Sequence, residues 1–351
     1  MSVELPSAQN NSFAWYGPDM AAREHEWLDV LSAKEIAEME VAAKRIIDAN
    51  TDIASISARD FAVPSLEKKL GIMREELIHG RGFAVMRGLP VSGYDERMAA
   101  TIFYGIGTHL GKARSQNAKG HILGHVRDLG LKSSDPNVRI YQTNERQTFH
   151  TDSCDVVGLL CLKTAKQGGA SLLVSSTTIF NEMRRQRPDL LKLLLEPIAT
   201  DRRGEVPAGM LPYFLIPVFS YHQGFLTSIY QRQYIDSAQR FVDAPRLTAA
   251  HVEALDMFDN LANNPELNFA MQLQAGDLQF VYNHTMLHDR TGFEDWPDDQ
   301  QKRHLLRLWL SVDGDRPLPE IFATRFGTIE IGNRGGIIVA DTLMHIPYTA
   351  A

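Results

Sequence analysis

The chain of 351 residues contains only two cysteines, Cys154 and Cys161. Two cysteines build neither a disulfide framework nor a cysteine-based zinc site. Such usage suits a reducing cytosol, where the protein is expected to reside. Cys161 lies within an apolar run and reads as a core residue, whereas Cys154 reads as the more oxidisable of the pair. Positive charge is also scarce. Lys and Arg total 36 against 43 Asp and Glu, a formal net charge of −7. No basic field is present to hold a polyphosphate backbone, which argues against nucleic acid as a partner. No apolar run approaches the ~20 residues of a membrane helix. The start, MSVELPSAQNNSFAWYG, lacks the basic and apolar regions of a signal peptide. Repeats and low-complexity segments are missing too. What remains is ordinary for a soluble globular protein: 44% hydrophobic and 23% charged residues, with length enough for a sizeable core.

Residues 1–25 read as an irregular lead. Ser32-Ala33-Lys34-Glu35 forms a capping box. It predicts an amphipathic helix to about Ala49, with Ile36, Met39, Ala43, Ile46 and Ile47 at helical spacing. Further helices are predicted over Leu66–His79 and Glu96–Leu110, with a buried strand over Gly82–Met86 between them. From Arg139 onward, short apolar runs alternate with turn residues: RIYQ, VVGLLCLK, SLLVSS, FLTSIY, NFAMQL, LQFVYN and HLLRLWLSV. Helical patterns interrupt them at Thr178–Arg187, Asp189–Leu195 and Thr248–Asn263. Many short strands with embedded helices indicate a mainly β fold with helices (α+β), a sandwich or barrel with helical cover. One domain is expected over 1–351. Residues 26–110 would pack as a mainly helical part on an outer sheet face of a core over 139–315.

The stretch QTFHTDSCD at 147–155 carries the first chemical signal. In an extended segment, residues two apart share a face, so His150 and Asp152 can reach one ion while Thr151 points away. Alone, a His-x-Asp at a strand end is usually an ordinary polar edge. The stretch QFVYNHTMLHDRTGF supplies His284 and His288 just after an apolar run. Two histidines and a carboxylate on one face of Fe(II) leave three positions open. Zinc hydrolases use the same donors, so the triad by itself leaves a zinc hydrolase or lyase as an alternative. A non-catalytic cupin-like binding protein is a third reading. In RHLLRLWL, Arg303, Leu305, Arg307 and Trp309 share one strand face. Buried cations are costly without anions. Either these arginines are exposed or ion-paired, or a guanidinium grips a carboxylate through two parallel hydrogen bonds. The second reading suits a 2-oxo dicarboxylate whose keto acid end chelates the metal. Two weaker patterns are set aside. Ser65-x-x-Lys68 lacks the other motifs of a penicilloyl-type enzyme. His121 and His125 lack the glutamate of a zincin helix and read as a mobile loop bordering the site.

The order FHTD … KQGGASLLVSS … NHTMLHDRTGF … RHLLRLWL resembles the taurine dioxygenase-like (TauD/TfdA, clavaminate synthase-like) family of Fe(II)/2-oxoglutarate-dependent oxygenases, from about Gly82 to Asp313. The resemblance implies a double-stranded β-helix, or jelly-roll, core. It implies a dioxygenase that uses Fe(II), 2-oxoglutarate and O₂, releases succinate and CO₂, and hydroxylates or desaturates a small molecule. His150, Asp152 and His288 match the iron ligands, and His284 lacks the LHxR context and reads as structural. Arg303 matches the arginine for the far carboxylate of 2-oxoglutarate. Arg307 matches a second active-site arginine, which can meet co-substrate, substrate or Asp152. Ser171, in GGAS, matches a hydroxyl that helps hold the co-substrate, with a plain glycine turn as the other reading. Tyr141, Gln142 and Asn144 are substrate candidates on an expected cavity-lining strand. Asp289 departs from the small residue the family often has after the distal histidine. Asp152 itself argues against a halogenase, which has a small non-ligating residue there. Arg307, Arg202 and Arg203 favour an anionic or carboxylated substrate. The sequence leaves the oligomeric state open, with a homo-oligomer as one reading because the family is often multimeric, and no membrane partner is expected.

Overall fold

The computed structural model describes residues 5–132, 138–339 and 342–349. Two β-sheets face each other. The larger runs in the order Leu28–Val30, Phe83–Arg87, Leu278–Tyr282, Val156–Lys163 and His304–Ser311, and both Lys112–Ala113 and Leu123–Val126 pair with the last strand. The smaller runs Asn268–Met271, Ser171–Ser175, Met286–Arg290 and Gln147–His150. Within both, neighbours are antiparallel except Leu28–Val30 on Phe83–Arg87. Of the several crossings the chain makes between the sheets, two lie side by side: between His150 and Val156, and between Tyr282 and Met286, where the Asn283 N–H donates to the Asp155 carbonyl at 2.9 Å. This is the expected jelly-roll arrangement, with these two crossings at one end.

Strand alternation decides what each face carries. Leu308 and Leu310 meet Gly107 on the outer side of the larger sheet. Gly107 belongs to the helix Glu96–Leu110. Gly158 lies on the same outer face, where an added Cβ would come within 2.8 Å of Phe280 and 3.3 Å of Phe103. Its missing side chain lets that helix seat closely. The helix Ala33–Asp48 begins at Ser32 with both capping-box bonds formed, and packs on Glu96–Leu110. On the smaller sheet, Val174 and Leu287 share a core cluster with Ile179 and Phe180 of the helix Ser176–Gln186 and Phe258 of Ala249–Ala262.

Four expectations need correction. The lead is not irregular: helices span Gly17–Ala21 and Glu24–Trp27, while residues 1–4 lie outside the described residues. Trp15 stacks edge-on against Phe83 of the larger sheet and Phe269 of the smaller, at 5.6 and 5.7 Å between ring centroids. Isolated aromatics of this kind leave no periodicity to read. RIYQ is not a strand, because Ile140–Gln142 form one 3-10 turn. The Gln142 side chain folds back to accept the Arg139 N–H at 3.1 Å. The histidines of GHILGHVRD sit in an ordered segment rather than a mobile loop. Leu123–Val126 pairs along Leu305–Leu308, and His125 Nδ1 lies 2.8 Å from His304 Nε2. Finally, Cys154 is fully buried, and burial pushes its thiol well above the usual range, so it is a core cysteine like Cys161 rather than the more oxidisable of the pair. Among the described residues, no helix is long and apolar enough to cross a membrane.

A buried charge network ties the C-terminal segment to the core beneath the crossing. Arg334 Nε donates to Asp155 and its Nη2 to Asp315, each at 2.8 Å. His284 Nε2 lies 2.8 Å from Asp155. Burial holds the His284 imidazole below its usual pKa, so the neutral ring donates to the carboxylate. Asp155, His284 and Asp315 are close enough to hold a metal, but the Arg334 guanidinium already supplies the cation. His284 is therefore structural, as its sequence context suggested. Arg334→Ala would leave two carboxylates buried without their partner. It is expected to destabilise the fold by about 3–5 kcal/mol, measured by urea unfolding monitored by circular dichroism.

Candidate active site

The two chain crossings bring the candidate ligands together. His150 ends the strand Gln147–His150, and His288 lies directly opposite it in the register. Their rings are 4.1 Å apart between centroids. Asp152 follows two residues after His150, with its backbone N–H donating to Asn283 Oδ1 at 2.8 Å. One ligand atom from each of His150, Asp152 and His288 lies within 4.8 Å of the others. Asn283 sits at the second crossing, so one side chain pins the first crossing against the second. Thr151 turns aside, and its hydroxyl accepts the Tyr230 N–H at 3.0 Å.

The donors are in the right charge state for a divalent cation. His150 Nδ1 faces the Thr148 carbonyl at 2.9 Å, which puts the ring proton there and turns the Nε2 lone pair inward. The Gln147 amide lies 2.8 Å from that lone pair. Burial, reinforced by His150, pushes His288 down to about 3, so it is neutral at physiological pH. The His288 Nδ1 is buried and has no hydrogen-bond partner. Burial alone would raise Asp152. Arg307, the two histidines and the Trp309 N–H outweigh it and hold the carboxyl below its usual range. Two neutral imidazoles and one carboxylate form a donor set that suits Fe(II), and one face is left open.

Trp309 was not foreseen in this role. Its Nε1–H donates to Asp152 Oδ2 at 2.9 Å, fixing a carboxylate whose Oδ2 lies 3.7 Å from His288 Nε2 and whose Oδ1 lies 4.0 Å from His150 Nε2. Trp309→Phe keeps most of the ring and removes the donor. Loss of such an outer partner is expected to weaken Fe(II) binding ~10–100-fold, read by equilibrium dialysis. Asp289 also explains itself. It projects to the opposite face of its strand from His288, where Arg146 Nη2 meets it at 2.6 Å.

Arg303 and Arg307 project from the inner face as alternation predicts, yet their surroundings differ. Arg307 is stacked on Tyr141 and Trp309, at 4.6 and 5.1 Å from the ring centroids, and its Nε donates to Gln116. Its Nη1 lies 3.9 Å from Asp152. Arg303 is buried over the Phe293 ring, with Nη1 lacking any partner. Burial pushes its guanidinium down to about 10, still charged at physiological pH. Gly169, at φ +71°, makes room: a Cβ there would sit 3.0 Å from Arg303 Nε. Ser171 is buried, and its hydroxyl donates to Gln279 at 3.1 Å. Arg290 was missed by sequence reasoning. It covers the same Phe293 ring as Arg303, and burial pushes it down to about 9.

A cavity with about 730 Å³ of atom-free space, part of it open solvent, leads from His150 and Asp152. Tyr141, Arg307 and Trp309 line it near the ligands, and Phe214, Ile216 and Ile235 line its apolar wall. Gln142 lies instead on an adjoining cleft. Asn144 is exposed, and its carbonyl accepts the Phe293 N–H. Neither lies on the cavity-lining strand expected for them. Arg202 is committed elsewhere, donating to the carbonyls of Leu211 and Thr324, and Arg203 lies over the Tyr234 ring.

Comparison with known proteins shows the family and the fold. The model of the taurine catabolism dioxygenase TauD, TfdA family matches residues 49–309. The FR-33289 synthase of Streptomyces rubellomurinus is 33% identical over 305 residues, covering 85% of this chain and 89% of that protein. A uridine-5'-phosphate dioxygenase from an Amycolatopsis species is 29% identical over 182 residues, 48% of this chain and 62% of its own length. Among solved structures, the non-heme iron oxygenase OrfP in complex with Fe and alpha-ketoglutaric acid has the same fold. Its TM-score is 0.63 at 15% identity, covering 81% of this chain and 93% of that one.

Proposed function

Since the chain belongs to the TauD/TfdA dioxygenase family and is an Fe(II)- and 2-oxoglutarate-dependent dioxygenase, we propose that His150, Asp152 and His288 hold the iron and Arg303 the far carboxylate of 2-oxoglutarate. The observation that carries this reading is a largely buried triad of two histidines held neutral and an ionised aspartate, together with a buried arginine whose Nη1 has no partner. A buried cation in that state is costly, and a dicarboxylate chelated at the metal supplies the missing anion.

The bound metal, 2-oxoglutarate and O₂ together supply the oxidising power that replaces a substrate C–H bond, with succinate and CO₂ as co-products. The chain's residues do the positioning. His150 and His288 present lone pairs on one side, and Trp309 and Asn283 fix the Asp152 segment. Phe293 and Gly169 shape the slot for Arg303, and Ser171 opens the strand two residues after Gly169. Arg307, clamped between Tyr141 and Trp309, balances the Asp152 charge. Tyr141 and the apolar wall receive the substrate. The helices of residues 26–110 brace the outer sheet face while Leu28–Val30 and Phe83–Arg87 extend that sheet, so that the whole chain works as one oxygenase unit. The substrate is read as an anionic small molecule. The name of the relative that acts on a uridine phosphate supports that class.

The test is stoichiometry. With Fe(II), 2-oxoglutarate and a turned-over substrate, O₂ consumption and succinate release are expected in equal amounts. Turnover without O₂ uptake, and with zinc in place of iron, would instead favour a hydrolase or lyase on the same donors.

A further inference from the structure

Arg325 comes from the short helix Ala323–Phe326, late in the chain. It reaches the same cavity as His150, Asp152, Arg307 and Trp309. Its Nε donates to Ser153 Oγ at 2.7 Å, and its guanidinium lies 5.3 Å from the Phe214 ring centroid. Ser153 directly follows Asp152, so this cation is tethered next to the candidate metal centre. The neighbouring arginines are otherwise engaged. Arg139 pairs with Glu205 and donates to Tyr234. Arg202 binds carbonyls. Arg307 faces Asp152 and Gln116. Among the described residues, Arg325 forms no ion pair, and no hydrogen bond is made by its two terminal nitrogens. Burial pushes its guanidinium down to about 10, against the pull of the Glu205 carboxylate, which is itself paired with Arg139, and with Arg139 and Arg202 adding repulsion, so it stays charged at physiological pH.

A half-buried cation on a binding cavity with no carboxylate in direct ion-pair contact marks a place for an anion. Phe214, Ile216 and Ile235 line the same cavity as Arg325, His150 and Asp152 and give it an apolar wall. We infer that Arg325, positioned by Ser153, binds the oxyanion head group of the substrate, a carboxylate or phosphoryl group carried on a short, largely apolar body. The head group accepts from the Arg325 terminal nitrogens while the body lies along the apolar wall with its reacting carbon toward His150 and Asp152. This rests on the proposed function and adds a specificity residue to it, distinct from the Arg303 co-substrate slot.

The test uses the full-length protein loaded anaerobically with Fe(II) and saturating 2-oxoglutarate, so that Arg303 is already occupied. Propylphosphonate, butyrate and neutral butanol are titrated by calorimetry into wild type, Arg325→Gln and Arg325→Lys. Binding of at least one anion and weaker binding of butanol are expected in wild type. Arg325→Gln is expected to weaken that anion ~10-fold or more, Arg325→Lys to restore part of it, and 2-oxoglutarate affinity to stay the same in all three. Whichever anion binds more tightly names the head group. Equal anion affinity in wild type and Arg325→Gln, or no anion binding in wild type, overturns the inference. Failure of 2-oxoglutarate to bind wild type would instead strike the proposed function. Unchanged 2-oxoglutarate affinity also shows that each variant is folded.

Discussion

Replacing His288 or Asp152 with alanine is expected to abolish tight Fe(II) binding and to reduce succinate release by more than the ~10–100-fold typical of losing an outer partner of a metal ligand. The reason is geometric. The three donors are contributed by the two adjacent crossings of the jelly roll, and their ligand atoms lie within 4.8 Å of one another. No other described carboxylate stands ready to substitute for Asp152. Asp155 is held by His284 and Arg334, and Asp289 by Arg146 on the far face of its strand. His150→Ala is expected to behave in the same way, because the Gln147 amide beside it is a poor replacement ligand. Iron content after gel filtration and succinate release are the two readouts. A variant that keeps both at wild-type level would remove that residue from the ligand set.

Arg303→Leu is expected to have the second large effect, and of a different kind. A hydrogen bond to a charged group contributes about 1.5–3 kcal/mol, so losing one raises the 2-oxoglutarate KM roughly 10- to 150-fold, and losing a two-pronged grip raises it further. The rate at saturating 2-oxoglutarate is expected to change much less, since the far carboxylate is gripped before and during reaction alike. The protein without ligand should show the opposite sign in stability. Arg303 is buried with Nη1 unpartnered, so leucine relieves a desolvated charge. The variant is expected to melt no lower than wild type by scanning calorimetry and to lose most of the 2-oxoglutarate-dependent rise in Tm. A fall in unliganded Tm together with an unchanged KM would assign Arg303 a structural role instead.

Much of this was legible because the chemistry sits on regular strands. Period two places His150 with Asp152, and Arg303 with Arg307 and Trp309, before any coordinates are known. The outward set, Leu306, Leu308 and Leu310, reads equally plainly as core. Helices with sequence-local caps, such as Ser32 with Glu35, were legible for the same reason. What escaped was long-range. The donation from Trp309 to Asp152 joins residues 157 apart in sequence. The tether of Arg325 to Ser153 spans 172. No local pattern marks either contact. Arg202 and Arg203 looked like the free cations, but backbone carbonyls and a tyrosine ring take them up, while Arg325 lies in an unremarkable stretch. Tyr141 reached the site by another route than expected. The segment around it forms a 3-10 turn closed by Gln142, which puts Tyr141 under Arg307 and leaves Asn144 in solvent. Cys154 looked exposed only because polar residues flank it. Its place just past the crossing is in fact interior, with Asn283 Nδ2 donating to its sulfur at 3.2 Å.

In the proposed enzyme, one metal centre formed by His150, Asp152 and His288 receives 2-oxoglutarate held at its far end by Arg303. The most direct measurement is an anaerobic titration of 2-oxoglutarate into Fe(II)-loaded protein, followed by the visible charge-transfer band of an iron-chelated 2-oxo acid. Wild type is expected to develop the band and saturate. Arg303→Leu should develop it only at much higher 2-oxoglutarate, and Asp152→Ala and His288→Ala should not develop it. A band of full intensity in the two ligand variants, or none in wild type, would contradict the account.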